Sequence, residues 1–225
     1  MMKLYTPIDI EQVQHDLPYL TEVMEWVKSF LSRHHPDLGR PGPVCPYVPH
    51  ALKSNNIEMA VIRTKNHESQ QIEKVVKNYR DIFLETAKNQ KEATTTKAFL
   101  LIFPDVHIED TTPIIDSIQQ KLKPLFVESG LMLGEFHKRT QSPGLHNPNF
   151  RPLRSPIPLL AIRFMGEFDL PFLESPDDPH LRIRYLEAYL KYFSGQIKDE
   201  AKLQNICETL ALAKAEVQQK ILVNY

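Results

Sequence analysis

Ala98-Phe-Leu-Leu-Ile-Phe103, followed by Thr112-Pro-Ile-Ile-Asp-Ser-Ile-Gln-Gln-Lys-Leu-Lys-Pro-Leu-Phe-Val-Glu-Ser-Gly130 and then Leu131-Met-Leu-Gly-Glu-Phe136, decides the fold class. The first run is continuous, apolar and of strand length, which predicts a strand buried on both faces. Thr112-Pro113 pairs a capping hydroxyl with a first-turn proline, and Ile115, Ile118, Leu122 and Phe126 recur at helical spacing to form one inward face. Pro124 is expected to kink the end of this helix. Gly130 supplies the residue that ends it, and 131–136 reads as the next strand. Strand, helix and strand in line are one crossover unit of an α/β or α+β sheet.

The same reading extends outward. Upstream, 57–63 reads as a strand with Ile57, Met59 and Val61 on one face. A helix opening at Ser69 follows, with a stripe of Ile72, Val75, Val76, Tyr79 and Phe83. Before these, Val13, Leu17, Leu20, Met24, Val27 and Leu31 describe an N-terminal amphipathic helix; Asp16 and Pro18 suit its first turn, and Pro36 requires it to stop. Downstream, 159–165 reads as a fourth strand. Asp178-Pro179 caps a helical region that Gly195 breaks, with Leu186, Leu190 and Phe193 before the break and Leu203, Ile206, Leu210, Ala213 and Val217 after it. The expectation is a single α+β domain over residues 1–225. It would be a small four-stranded sheet with helices mainly on one face, a ferredoxin-like or related sandwich, with extra N- and C-terminal helices.

Composition narrows the function classes. A net charge of −1 over 225 residues gives no pull toward nucleic acid or a membrane surface. No apolar run approaches the roughly 20 residues that span a bilayer, and residues 1–10 carry no secretory pattern. Cys45 and Cys207, far apart, imply neither a disulfide framework nor a cysteine-built zinc site, so a cytoplasmic location is expected. The nucleotide and hydrolase signatures Gly-x-Gly-x-x-Gly, Gly-x-x-x-x-Gly-Lys and Gly-x-Ser-x-Gly are absent.

Two loop segments stand apart, 39–50 and 137–158. Ten of the 18 prolines fall at 36, 41, 43, 46 and 49 and at 143, 148, 152, 156 and 158. Proline stiffens a loop by lowering the entropy it loses on ordering. No Asp or Glu occurs between Asp37 and Glu58 or between Glu135 and Glu167, while Arg40, Arg151, Arg154 and Arg163 lie in or beside these stretches. Unopposed arginines predict a site for an anionic small molecule, carboxylate, phosphate or propionate; the alternative is that they pair with acids on the helices. Cys45, in Pro-Val-Cys-Pro, is a candidate catalytic thiol or thiolate ligand of haem, or else a small buried apolar group in a rigid turn. His137, at the end of a predicted strand, is the candidate catalytic histidine and metal or haem ligand, with the arginines on the haem propionates. Surface or capping roles are the alternative for it and for His34, His35, His50 and His146.

The string Leu38-Gly-Arg-Pro-Gly-Pro-Val-Cys-Pro-Tyr-Val-Pro49, preceded by the Trp26 helix and His35-Pro36, resembles the signature of an uncharacterised bacterial domain family. Gly134-Glu-Phe-His137 and Arg154-Ser-Pro-Ile-Pro-Leu-Leu-Ala-Ile-Arg163 are similar to its second block, so the resemblance spans about residues 23–172. It implies a protein acting on small molecules, some members being found with enzymes of specialised metabolism, and assigns no catalytic residue. The expected function is a small-molecule enzyme, with haem-dependent oxidoreduction the first chemistry to test. The alternative is a non-catalytic interaction or ligand-binding module built on rigid loops. A third expectation is a homodimer, closed through 57–63 as an edge strand.

Overall fold

The computed structural model describes residues 7–65, 68–88 and 96–223, with side chains over 13–65, 68–87 and 96–220. The fold is α+β. Its strands β1 (Ile57–Val61), β2 (Ala98–Ile102), β3 (Leu131–Phe136) and β4 (Leu159–Phe164) form one mixed sheet in the order β1-β2-β4-β3. β1 pairs with β2 in parallel, Ile57 opposite Ala98, and β2 pairs with β4 antiparallel, Ala98 opposite Arg163. The chain divides into two compact units, Met1–Gln119 with Gly134–Arg163, and Gln120–Leu133 with Phe164–Tyr225.

In the first unit, the alternation of strand side chains sends Phe99 to one face of the sheet and Leu100 and Ile102 to the other. Helix α3 (Ser69–Lys88) covers the Phe99 face, with Phe83 and Tyr79 set edge-on to the Phe99 ring at 5.0 and 6.5 Å. On that face Lys97, only 3% exposed, donates to Glu58 at 2.6 Å and lies 5.1 Å over the Phe99 ring. Helix α1 (Pro7–Trp26) and both proline-rich loops cover the other face. There Val23, Val27 and Leu31 join Leu38, Val44, Val48, Phe150 and Ile157 in one core over Leu100, Ile102 and Leu159. The loops are therefore a structural layer. Helix α2 (Val48–Lys53), within the region read as loop, buries Val48 and Ala51 in that layer.

Two details of α1 differ from the sequence expectation. The helix begins at Pro7, so Pro18 lies inside it; Val13 and Leu17, placed on the inward stripe, are 45% and 54% exposed. Packing begins only near Tyr19, where the helix meets the sheet. Beyond Trp26 the helix widens into a π-helical turn, Val27–Leu31. The extra residue per turn rotates the face that follows, and Phe30 comes to stack on Trp26 at 6.3 Å.

The second unit is helical. The last part of α4 (Ser117–Glu128) joins α5 (Leu170–Glu174), α6 (Pro179–Phe193) and α7 (Glu200–Val223) around Val127, Leu173, Tyr185, Leu186, Tyr189 and Ile206. Asp178 caps α6 by accepting from the His180 N–H at 2.9 Å, as its sequence position implies. Gly130 ends the α4 segment at φ +76, with the Tyr192 ring so close that a Cβ there would lie 2.8 Å from it. No helix among the described residues is long and apolar enough to cross a membrane.

Burial pushes the Tyr185 hydroxyl up to about 12, the chain being 3% exposed at this residue. A raised pKa in the folded state means stability is intact below the ordinary tyrosine value near 10 and is lost as pH rises through the folded value. Tyr185→Phe is expected to remove up to about 2–3 kcal/mol of the stability lost between about pH 10 and 12. Urea unfolding of both proteins across that window measures the difference, and parallel curves would contradict it.

Candidate functional site

Proline removes a backbone donor at every position it occupies, so a proline-rich loop carries more carbonyl acceptors than N–H groups to satisfy them. The arginines of the two loops answer that shortage. Arg40 donates from Nη1 to the Pro41 carbonyl at 2.9 Å and from Nη2 to the Val44 carbonyl at 3.1 Å. Arg151 donates to the carbonyls of Pro148 at 2.5 Å and Phe150 at 3.1 Å. Among the described residues neither pairs with a helix carboxylate, and neither is turned wholly outward as an anion clamp. The sequence signal for this is an arginine directly followed by proline in a stretch poor in acids, Arg40-Pro41 and Arg151-Pro152.

The loops meet. Asn147 Nδ2 donates to the Asp37 carbonyl at 2.8 Å, His35 stacks on Phe150 at 4.7 Å, and Gly39 faces the His146 backbone. His35 also caps the short turn Pro36–Leu38 by accepting from the Asp37 N–H, one of the capping roles open to the loop histidines. The first loop is tied to the end of the N-terminal helix by Cys45 N–H to the Leu31 carbonyl, 2.9 Å, and Val44 N–H to the Arg33 carbonyl, 2.8 Å.

His137 does not join the other candidates. It is 0% exposed; its Nδ1 accepts from the Arg139 N–H at 3.2 Å and its Nε2 is 2.7 Å from Asp116 Oδ1. A backbone N–H can only donate, so Nδ1 is unprotonated and Nε2–H donates to Asp116. The ring is a neutral, doubly engaged structural histidine with no lone pair left for a metal. Among the described residues no three His, Cys, Asp or Glu side chains come together as a metal site.

Two concavities contain the remaining candidates, and Trp26 walls both. The first is an open groove of about 410 Å³, lined by Trp26, Phe30, Asn149, Phe150, Arg151 and Arg154. Arg154 is exposed there, and Phe30 and Phe150 rings lie 6.2 Å apart. The second is a cavity of about 80 Å³ between the Trp26 helix, the first loop and the sheet, with Cys45, Tyr47 and Arg163 in its wall. Alternation along β4 puts Leu159, Ala161 and Arg163 on this face, and the Arg163 guanidinium lies 4.5 Å over the Tyr47 ring.

The four arginines thus fall into three places: Arg40 on its own loop, Arg151 and Arg154 at the groove, Arg163 at the cavity. Haem does not fit this arrangement. Small-molecule and cofactor sites run to about 300–1,000 Å³, the cavity at Cys45 is a fraction of that, and His137 has both nitrogens occupied away from it.

A family model described as a domain of unknown function (DUF6875) matches residues 20–204. No curated protein and no solved structure matches the chain.

Proposed function

The chain belongs to the DUF6875 family, a family of unknown function, and on that premise we propose that it is a ligand-binding module whose groove holds an anionic small molecule with a planar apolar body. The observation that supports this reading is the pairing of an aromatic floor, Trp26 and Phe30, with an arginine rim, Arg151 and Arg154, in a stretch without acids. A planar ring stacks on the indole and the anion meets guanidinium N–H groups, the two interactions arginine and tryptophan make best. The π-helical turn at 27–31 adds weight, since such turns recur where a helix is distorted for a site. Phe150, held between Phe30 and His35, gives the groove a rigid wall.

Trp26 is the single tryptophan of the chain, so its fluorescence reports the groove directly. Benzoate is expected to change that emission saturably, and Arg154→Ala to weaken binding by about 10-fold or more, the worth of a lost hydrogen bond to a charged group. Benzyl alcohol, of the same shape without the charge, should bind more weakly than benzoate. Equal affinity for the two, or no saturable change with either, would overturn the reading.

A bacterial origin, a signature role for residues 39–46, a cytoplasmic location, a place beside enzymes of specialised metabolism and the absence of nucleic-acid or membrane partners go with this proposal. So does a homodimer through β1, which lies at an end of the sheet order; light scattering on the eluting protein tests it.

A further inference from the structure

We propose that the cavity behind Trp26 is a second binding site, independent of the groove, for a short aliphatic carboxylate: an alkyl part of three or four carbons inside, its carboxylate at the Arg163 end. Packed interiors keep few voids larger than a water molecule, and one water needs only about 10–15 Å³, so about 80 Å³ exceeds an ordinary packing defect. The space exists because three elements each present an alanine to it: Ala51 from α2, Ala98 from β2 and Ala161 from β4. Ala98 faces Ile57 on one side and Arg163 on the other across the sheet, and Ala161 faces Leu100, so the missing side-chain volume is concentrated at one spot on one face.

The lining sets the ligand class. Val27, Leu31, Val48, Ile57, Leu100 and Leu159 make a dry wall with few partners for water, which favours an apolar guest. An engineered cavity of about 150 Å³ holds benzene; a volume near half of that suits three or four carbons and excludes an aromatic ring. Tyr47 and Arg163 supply the polar end, the guanidinium carbon 4.5 Å from the centre of the phenol ring, a contact that positions the cation before a ligand arrives.

Butyrate is the probe. In the intact protein, about 10 mM butyrate, enough to occupy a site of millimolar affinity, is expected to raise Tm and shift Trp26 emission. Ala161→Val and Ala98→Val, which fill the space from two different strands, are expected to stay folded with Tm at or above that of the parent and to lose the response. Arg154→Ala should keep it, which separates this site from the groove: benzoate binding can fail while butyrate binding persists, and the reverse. Isobutanol, without the charge, should produce a smaller shift at the same concentration. No butyrate response in the parent protein, or an equal response in both filled variants, would overturn the proposal. A response undiminished in Arg163→Gln would remove the carboxylate from it.

Discussion

Replacing Gly39 by alanine is expected to destabilise the first unit by about 2–4 kcal/mol and to loosen the second loop. Gly39 follows the turn Pro36–Leu38 at φ +76, a left-handed conformation that costs an L-residue with a side chain about 1–2 kcal/mol. An added Cβ would also stand 2.7 Å from the His146 carbonyl oxygen and 3.0 Å from its carbon. Both atoms belong to backbone, which cannot swing aside as a side chain can, so one loop must move. The Asn147 hydrogen bond to the Asp37 carbonyl and the His35 stack on Phe150 lie within this junction and would weaken with it. Gly42 is the control: φ is +91, but a Cβ there meets only the Arg40 Nη1 at 3.5 Å. Gly42→Ala should show the backbone cost alone, so its Tm should fall by less than that of Gly39→Ala. Equal losses would mean that the loop contact contributes nothing.

His137→Leu is expected to cost a further large amount, about 2–4 kcal/mol, because it strands two polar partners at once. The Arg139 N–H loses its acceptor and the Asp116 carboxylate its donor, while leucine restores only volume. Asp116→Asn separates this from an ion pair. An amide oxygen still accepts from a neutral Nε2–H, so the substitution should cost no more than about 1 kcal/mol. Were the ring charged, the loss would approach that of His137→Leu. Nitrogen-detected NMR of the imidazole, with the proton on Nε2 and Nδ1 bare, is the direct test. Added divalent metal should leave those resonances in place, since neither nitrogen has a lone pair to offer.

These two positions show where sequence reasoning reaches and where it stops. His137 follows the end of β3 and is buried with both ring nitrogens hydrogen-bonded; its partner Asp116, on the turn ahead of α4, is 21 residues away and no local pattern connects them. The helices were legible from spacing: Ile115, Ile118, Leu122 and Phe126 are all buried, as are Ile72, Val76 and Phe83. The exposed start of α1 was not, because periodicity marks an apolar stripe and says nothing of how far the surface it packs on extends. Prolines and missing acids mark the two loops in the sequence, but they do not tell that the loop backbone turns its own carbonyls onto Arg40 and Arg151.

Alternation and helical repeat, both properties of neighbouring residues, determined the α+β class, four strands and most of their boundaries from the sequence by itself. The strand order, the use of both loops as a core layer, the doubly bound His137 and the division of the arginines between loop, groove and cavity were decided only by tertiary structure. The strand order, the core layer and the His137–Asp116 bond join residues distant in the chain, and such pairings are selected by the packing of whole elements, where donors and acceptors must be satisfied together. The carbonyls that Arg40 and Arg151 meet lie only one to four residues away, and the fold of each loop turns them toward the guanidinium.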